Sequence, residues 1–213
     1  MTSNELTRHI VVKVGGSLFR NRDSLDRVVG WINSNIQRSP VIICGGGQLA
    51  DVVRQLDAEL QLSDSLAHDL AIQTMRLNLS ILVARFEQPL IATSIAEIQL
   101  NAAGIGPVFF DLEWWKMTAD VGVHNWETTS DSIAAALAID SGASELVLLK
   151  KDVPIASEAA KAVFRSDLVD ASFANWTAQL PAIRVVPIGI SKPDWLWINE
   201  NRLARSQATG MGQ

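Results

Sequence analysis

Lys13 stands inside a run of branched apolar residues, HIVVKVGGSLF at 9–19, and Gly15-Gly16-Ser17 follows it at once. A cation within an apolar strand needs an anion to face. Residues lacking a Cβ let backbone N–H groups come close to one. A second cluster, Gly45-Gly46-Gly47, follows the next apolar run, and a helical pattern begins after each cluster. Helix starts add aligned N–H donors and the positive end of a dipole. Two such loops on neighbouring strands would form a nest for a chain of phosphates, with Lys13 reaching in as a compact point charge. The plainer alternative is a pair of tight strand-to-helix turns, with Lys13 snorkelling from an edge strand. The spacing fits neither G-x-x-x-x-G-K-[ST] nor G-x-G-x-x-G, so both of those phosphate-binding signatures are rejected.

Two later stretches carry further candidates. WETTSDSIAAALA at 126–138 reads as a helix with Thr129 or Ser130 as N-cap, Asp131 in the first turn and Gly142 as the C′ residue. Capping and close packing through alanines account for much of it. The crowding of hydroxyls and an acid at the helix start also suits a carboxylate that orients cations holding phosphates. ELVLLKKDV at 145–153 is a buried strand ending in Lys150-Lys151-Asp152. Those charges either face solvent or sit on the ligand rim of a parallel sheet.

The elements that must position these residues alternate in period. Apolar β-branched runs occur at 10–14, 40–44, 89–93, 107–110, 145–149 and 183–188; between them helical spacing occupies 23–37, 48–60, 65–86, 130–141 and a broken 157–180. Strand–helix alternation with nearly all-apolar strands predicts an α/β fold with a mainly parallel sheet covered on both faces, whose ligands bind at the carboxyl ends of the strands. The 213 residues, 48% apolar, suffice for one well-filled core. A net charge of −5 without a basic stripe argues against nucleic acid and anionic membrane as partners. Cys44 is the single cysteine, and His9, His68 and His124 are widely spaced, so no metal site is expected. The polar start MTSNELTRH and the lack of a long apolar segment lead to the expectation of a cytoplasmic protein.

In their order, K-x-G-G-S at 13–17, G-G-G at 45–47, AHDLAIQTM at 67–75, T-S-D-S-I-A-A at 129–135 and L-L-x-x-D-V at 148–153 resemble the amino acid kinase family over roughly residues 10–190. The resemblance implies a three-layer αβα sandwich of the carbamate kinase type. One domain is expected over 1–213, with an acceptor lobe at about 9–125, a nucleotide lobe at about 126–200 and a frayed tail at 201–213. It implies an ATP-dependent small-molecule kinase using Mg²⁺, and a homo-oligomer. Lys13 would contact the transferring phosphoryl group, with Gly15, Gly16 and Ser17 on the phosphates. Asp131 would be the organising carboxylate, and Ser130, Lys150, Lys151, Asp152 and Val153 would lie at the nucleotide, Lys151 with a catalytic role. Gly45, Gly46 and Gly47 would lie at the acceptor end, together with His68 and Glu127. Such parts suit phosphoryl transfer, which needs in-line positioning and charge neutralisation more than a strong base.

WETTSDSIAA followed by DLVDASF at 167–173 resembles the small kinases of aminomethylfuran methyl phosphate, which make a diphosphate during methanofuran-type cofactor synthesis. A phosphomonoester acceptor fits the second glycine loop. For its ammonium, Glu127 or Asp64 is the candidate carboxylate, and His68 is either an acceptor contact or a helix-packing residue. Departures from the family pattern are also present. Lys151-Asp152-Val153 runs into Pro154-Ile155 instead of an acidic-glycine turn, and no lysine lies in DLVDASFANWT. Lys150, Lys151, Lys161 and Lys192 are the candidates for a second phosphate-neutralising cation. A non-catalytic nucleotide- or oxyanion-binding or storage protein on the same fold is therefore the second expectation. Trp114 and Trp115 either form an interface patch, line the acceptor pocket or fill the core.

Overall fold

The computed structural model describes residues 9–101, 104, 106–113, 129–151, 169–176, 178–180, 182–188 and 196–197. Glu127, Asp152, Val153, Lys161, Lys192, Trp114, Trp115, the 201–213 tail and much of 157–180 lie outside them.

Strand β1 (Ile10–Val14) is not an edge strand: it pairs in parallel with β2 (Pro40–Cys44) on one side and β5 (Glu145–Lys150) on the other. Snorkelling of Lys13 from a sheet edge is thereby ruled out. With β3 (Leu90–Ala92), β4 (Val108–Phe110), β6 (Ile183–Pro187) and β7 (Leu196–Trp197), the sheet runs β3-β4-β2-β1-β5-β6-β7. Every pairing is parallel except that of β7 with β6.

Strand side chains alternate between two cores, as a sheet covered on both faces requires. Val11, Val41, Ile43, Leu146 and Leu148 face a core shared with α4 (Ile95–Asn101) and α5 (Ser130–Ser141). Ile10, Val12, Val14, Ile42, Val147 and Leu149 face the other, which Leu25, Val28 and Ile32 of α1 (Arg22–Ser34) and Leu79 and Leu82 of α3 (Asp64–Val83) complete. The sandwich of helix, sheet and helix anticipated from the sequence is the one observed. Helix α2 (Gly47–Leu60) packs mainly on α3. Among the described residues no helix is long and apolar enough to cross a membrane.

Boundaries follow local chemistry. Asn21 caps α1 by accepting from Ser24 N at 2.9 Å, and Ser63 caps α3 by accepting from Leu66 N. The 23–37 helical pattern is split: α1 stops at Ser34, and a 3-10 turn at Ile36–Arg38 ends on left-handed Ser39 before Pro40. The short α4 was not anticipated, although Ser94-Ile-Ala-Glu97 is a capping signature; Glu97 N donates to Ser94 Oγ, and the Glu97 carboxylate accepts from Thr93 N at 2.6 Å. Helix α5 ends at Gly142, in the left-handed region at φ 72° as expected.

At the amino end of the sheet, buried Glu145 holds Arg184 of β6 at 2.7 Å and also pairs with Arg38. This carboxylate bridges the turn before β2 to strands β5 and β6. Glu145→Ala withdraws the anion two guanidinium groups share, and the expected loss is about 3–5 kcal/mol. Urea unfolding monitored by tryptophan fluorescence checks this as a lower midpoint at unchanged slope.

Candidate functional site

The register of the sheet brings the two lysines of the strand ends to one place. Lys13 lies opposite Leu148 of β5. Lys150 follows two positions later in the same strand, so both side chains leave the same face, the one covered by α5. Helix α5 begins at that end of the strands with Asp131 in its first turn. The Asp131 carboxylate meets Lys150 Nζ through a hydrogen bond to Oδ2 at 2.6 Å and Lys13 Nζ through an ion pair at Oδ1 of 2.9 Å. Side-chain exposure is 6% for Lys13, 6% for Asp131 and 15% for Lys150, so the cluster carries one net positive charge with little water.

Burial alone would raise the Asp131 pKa, but the two ammonium groups overcome it and hold the carboxyl below its ordinary value. Lys150 is pushed down to about 8, by burial first and by the Lys13 cation second, against the pull of Asp131 and Asp170.

The glycine loops close around this cluster. Gly15 N donates to Leu149 O at 2.8 Å and Gly45 N donates to Val14 O at 2.8 Å, so both loops leave the sheet level with its carboxyl edge. The loops interlock: a Cβ on Gly16 would stand 2.2 Å from Gly47 N, and one on Gly47 would stand 2.4 Å from Gly16 O. Gly47 also has φ +55°, a conformation that favours glycine. A Cβ on Gly45 would lie 2.9 Å from Ser130 Oγ and 3.2 Å from Lys13 Cε. Asn78 of α3 fixes the second loop by donating to the carbonyls of Gly45 (2.7 Å) and Gly46 (2.9 Å), and Thr74 packs against Gly46.

Lys13, Gly15, Gly16, Ser17, Gly45, Gly46, Gly47, Ser130, Asp131 and Lys150 thus share the carboxyl edge of the sheet. Lys151 follows β5 half-buried and makes no ion pair among the described residues. His68 is half-buried on α3, roughly 9 Å along the helix axis from Thr74. Asp64 is exposed at the start of α3. Three residues went unread in the sequence: Thr74, Asn78 and Asp170. The cap of α5 also differs from expectation. Thr129 occupies the N-cap position, yet its side chain makes no cap bond; Asp170 supplies the acceptor in its place. Among the described residues no group of three histidine, cysteine or acidic side chains is placed to hold a metal ion.

The contacts at Gly16 set up a paired test. Gly16→Ala forces the loops apart, because backbone rather than a pliant side chain stands in the way. Gly30, exposed in the middle of α1, has nothing within 4 Å of an added Cβ. Thermal melts should show Gly30→Ala stabilised by about 0.5–1 kcal/mol and Gly16→Ala destabilised. Equal effects at the two positions would contradict the interlocked loops.

Residues 8–159 match the amino acid kinase family. Over 138 residues the chain is 33% identical to the [5-(aminomethyl)furan-3-yl]methyl phosphate kinase of Methanocaldococcus jannaschii, a match spanning 58% of this chain and 57% of that protein. The fold resembles that of the UMP kinase from Ureaplasma parvum (TM-score 0.65, 16% identity, 88% of this chain and 92% of that one). It also resembles the uridylate kinase from Archaeoglobus fulgidus (TM-score 0.62, 17% identity, 84% and 90%). The aspartate kinase of Clostridium acetobutylicum is similar over 89% of this chain and 63% of its own length (TM-score 0.59, 10% identity). With a family match across most of its length and the fold to accompany it, the chain belongs to the amino acid kinase family.

Proposed function

We propose that the chain is an ATP-dependent kinase that transfers the γ-phosphoryl group to a small phosphorylated metabolite. The observation that carries this reading is the meeting of two lysines, one shared carboxylate and two interlocked glycine loops at the carboxyl edge of β1, β2 and β5. Gly16 and Ser17 bind the nucleotide phosphates through backbone N–H groups, Gly15, whose own N–H is held by Leu149 O, brings the chain into that turn, and Gly45–Gly47 with the start of α2 take the anionic end of the acceptor. Helix α2 suits that task, since no side chain caps it and its first turn holds no acid. Lys13 and Lys150 flank the transferring group, and Asp131 keeps both aimed while they hold its developing charge. What favours a nucleotide here is the net positive charge of the lysine pair beside two glycine loops packed too closely for side chains. Mg²⁺ accompanying ATP would supply charge neutralisation on the phosphate oxygens.

For the acceptor we propose aminomethylfuran methyl phosphate, with the phosphomonoester converted to a diphosphate. The name of the Methanocaldococcus jannaschii relative supports this choice. Lys150 also answers the absence of a lysine from DLVDASFANWT: strand β5 supplies a second cation beside Lys13. A non-catalytic nucleotide or oxyanion binder is the second reading, favoured by Pro154-Ile155 standing where an acidic-glycine turn would follow Val153.

The test incubates the protein with MgATP and the phosphomonoester and follows ADP and the diphosphate by phosphorus NMR. Turnover is expected. Calorimetric binding of nucleotide without turnover on any phosphomonoester would instead establish the second reading. Lys13→Ala and Lys150→Met should each lower kcat/KM by about 10²–10³. The protonated form of Lys150 is the one that neutralises phosphate, and the free protein loses it as pH rises through about 8. Therefore kcat/KM should fall above about pH 8, and in Lys150→Arg, which stays charged, that alkaline limb should vanish.

A further inference from the structure

Asp170 precedes the 3-10 helix at Ala171–Trp176, whose Phe173 and Trp176 are buried in the core that α5 helps to form. Its carboxylate takes four hydrogen bonds from the start of α5. Oδ2 accepts from Thr129 N (3.1 Å), Thr129 Oγ1 (2.7 Å) and Ser132 N (3.1 Å), and Oδ1 accepts from Ser132 Oγ (2.5 Å). The backbone N–H groups of the first helical turn have no partner within the helix, and a side chain of the cap residue commonly serves one of them. Here Thr129 does not do so. Its hydroxyl is spent as a donor to Asp170, and a residue some forty positions later performs the capping.

This division of labour matters because Asp131 sits in the same turn. A carboxylate in the first turn of a helix is itself attracted to the unpaired N–H groups and the positive dipole end. Asp131 instead faces outward to Lys13 and Lys150. We propose that Asp170 is a positioning residue for the lysine clamp: by occupying the Thr129 and Ser132 N–H groups and both hydroxyls at the start of α5, it leaves the Asp131 carboxylate to the two lysines. Its functional meaning rests on the kinase reading above, but its structural content does not. With Asp170 gone, the vacated Ser132 N–H has the Thr129 hydroxyl and the Asp131 carboxylate as the acceptors of its own helix start. Asp131 turns back to its own helix, and the two ammonium groups lose their common anion.

The experiment reads the clamp directly, without substrate. In ¹⁵N,¹³C-lysine-labelled protein, the ammonium signals of Lys13 and Lys150 are identified by their loss in Lys13→Met and Lys150→Met variants. The Lys150 midpoint is then followed by pH titration. Among the described residues the charged groups acting on Lys150 are Lys13, Asp131 and Asp170. In Asp170→Ala both ammonium signals should broaden away, and the Lys150 midpoint should drop by about one unit or more from its starting value near 8. Asp170→Asn keeps an accepting oxygen and is a good capping residue, so it should retain both signals, with a midpoint between those of Asp170→Ala and the unaltered protein. Should Asp170→Ala melt too low, trimethylamine N-oxide restores the compact state for the same measurement. Two outcomes overturn the proposal. One is a folded Asp170→Ala with unchanged ammonium signals and Lys150 midpoint. The other is an Asp170→Asn as impaired as Asp170→Ala, which would make charge rather than capping the agent. Neither outcome depends on whether the protein turns over any phosphate ester, so the kinase reading stands or falls separately.

Discussion

A carboxylate that is 4% exposed, Asp131, holds two ammonium groups, and the upper half of the molecule is arranged so that it can. Removing an ion from water costs several kcal/mol, and mutual attraction offsets that cost only when geometry is good and partners are complete. Three ions of two signs in one dry place cannot be neutral as a set. The cluster retains a positive charge that its own carboxylate does not balance. Burial and the neighbouring cation both act against protonated Lys150, which is why its pKa falls despite the anion beside it. Such a cluster is strained toward taking up a further anion, and on the proposed reading that anion is the transferring phosphoryl group.

The geometry that permits this comes from ordinary elements in exact relation. Parallel pairing sets Lys13 beside Leu148, and the period of two then puts Lys150 on the same face, one step closer to the carboxyl edge. Hydrogen bonds from Gly15 to Leu149 and from Gly45 to Val14 carry the ladder just past the strands, so both loops turn at the same height. Any side chain at Gly16 or Gly47 would separate them. The loops owe their closeness to missing atoms and the lysines owe their aim to a shared anion, and each arrangement would be exposed to water without the other.

Much of this was legible in the chain. Apolar runs flanked by helical spacing predicted β1, β2, β5 and β6 within one residue and the long helices within one residue at their starts, with α1 and α3 ending three residues earlier than expected, because fully buried strands and two-faced helices write strong periods. Lys13, the two glycine loops and Asp131 stood out because each conflicts with its surroundings unless a ligand or partner is present. Helix α4 and β7 were too short for a period to register. Asp170 was part of a quoted motif yet carried no role, since a cap delivered from a distant segment leaves no mark at i, i+3 spacing. Asn78 likewise looked like one more polar residue in a helix. Its meaning depends on which loop packs over α3.

The two helix starts at this edge are finished in opposite ways, and the contrast follows from what each can hold. Helix α5 has its Thr129 and Ser132 N–H groups taken by the protein's own carboxylate, tied down by four hydrogen bonds and by Phe173 and Trp176 in the core. Helix α2 starts from Gly46 with no side-chain cap and no acid in its first turn. A mobile anion competes poorly for donors already bonded to a fixed carboxylate, whose ordering cost was met when the chain folded. It competes well where donors face only water. On the kinase reading, then, α5 serves as a rigid mount for Asp131, and α2 is the helix end open to an anion. On that reading the same physical feature, helix-start N–H groups without intrahelical partners, serves in one case to fix a residue and in the other to receive a ligand.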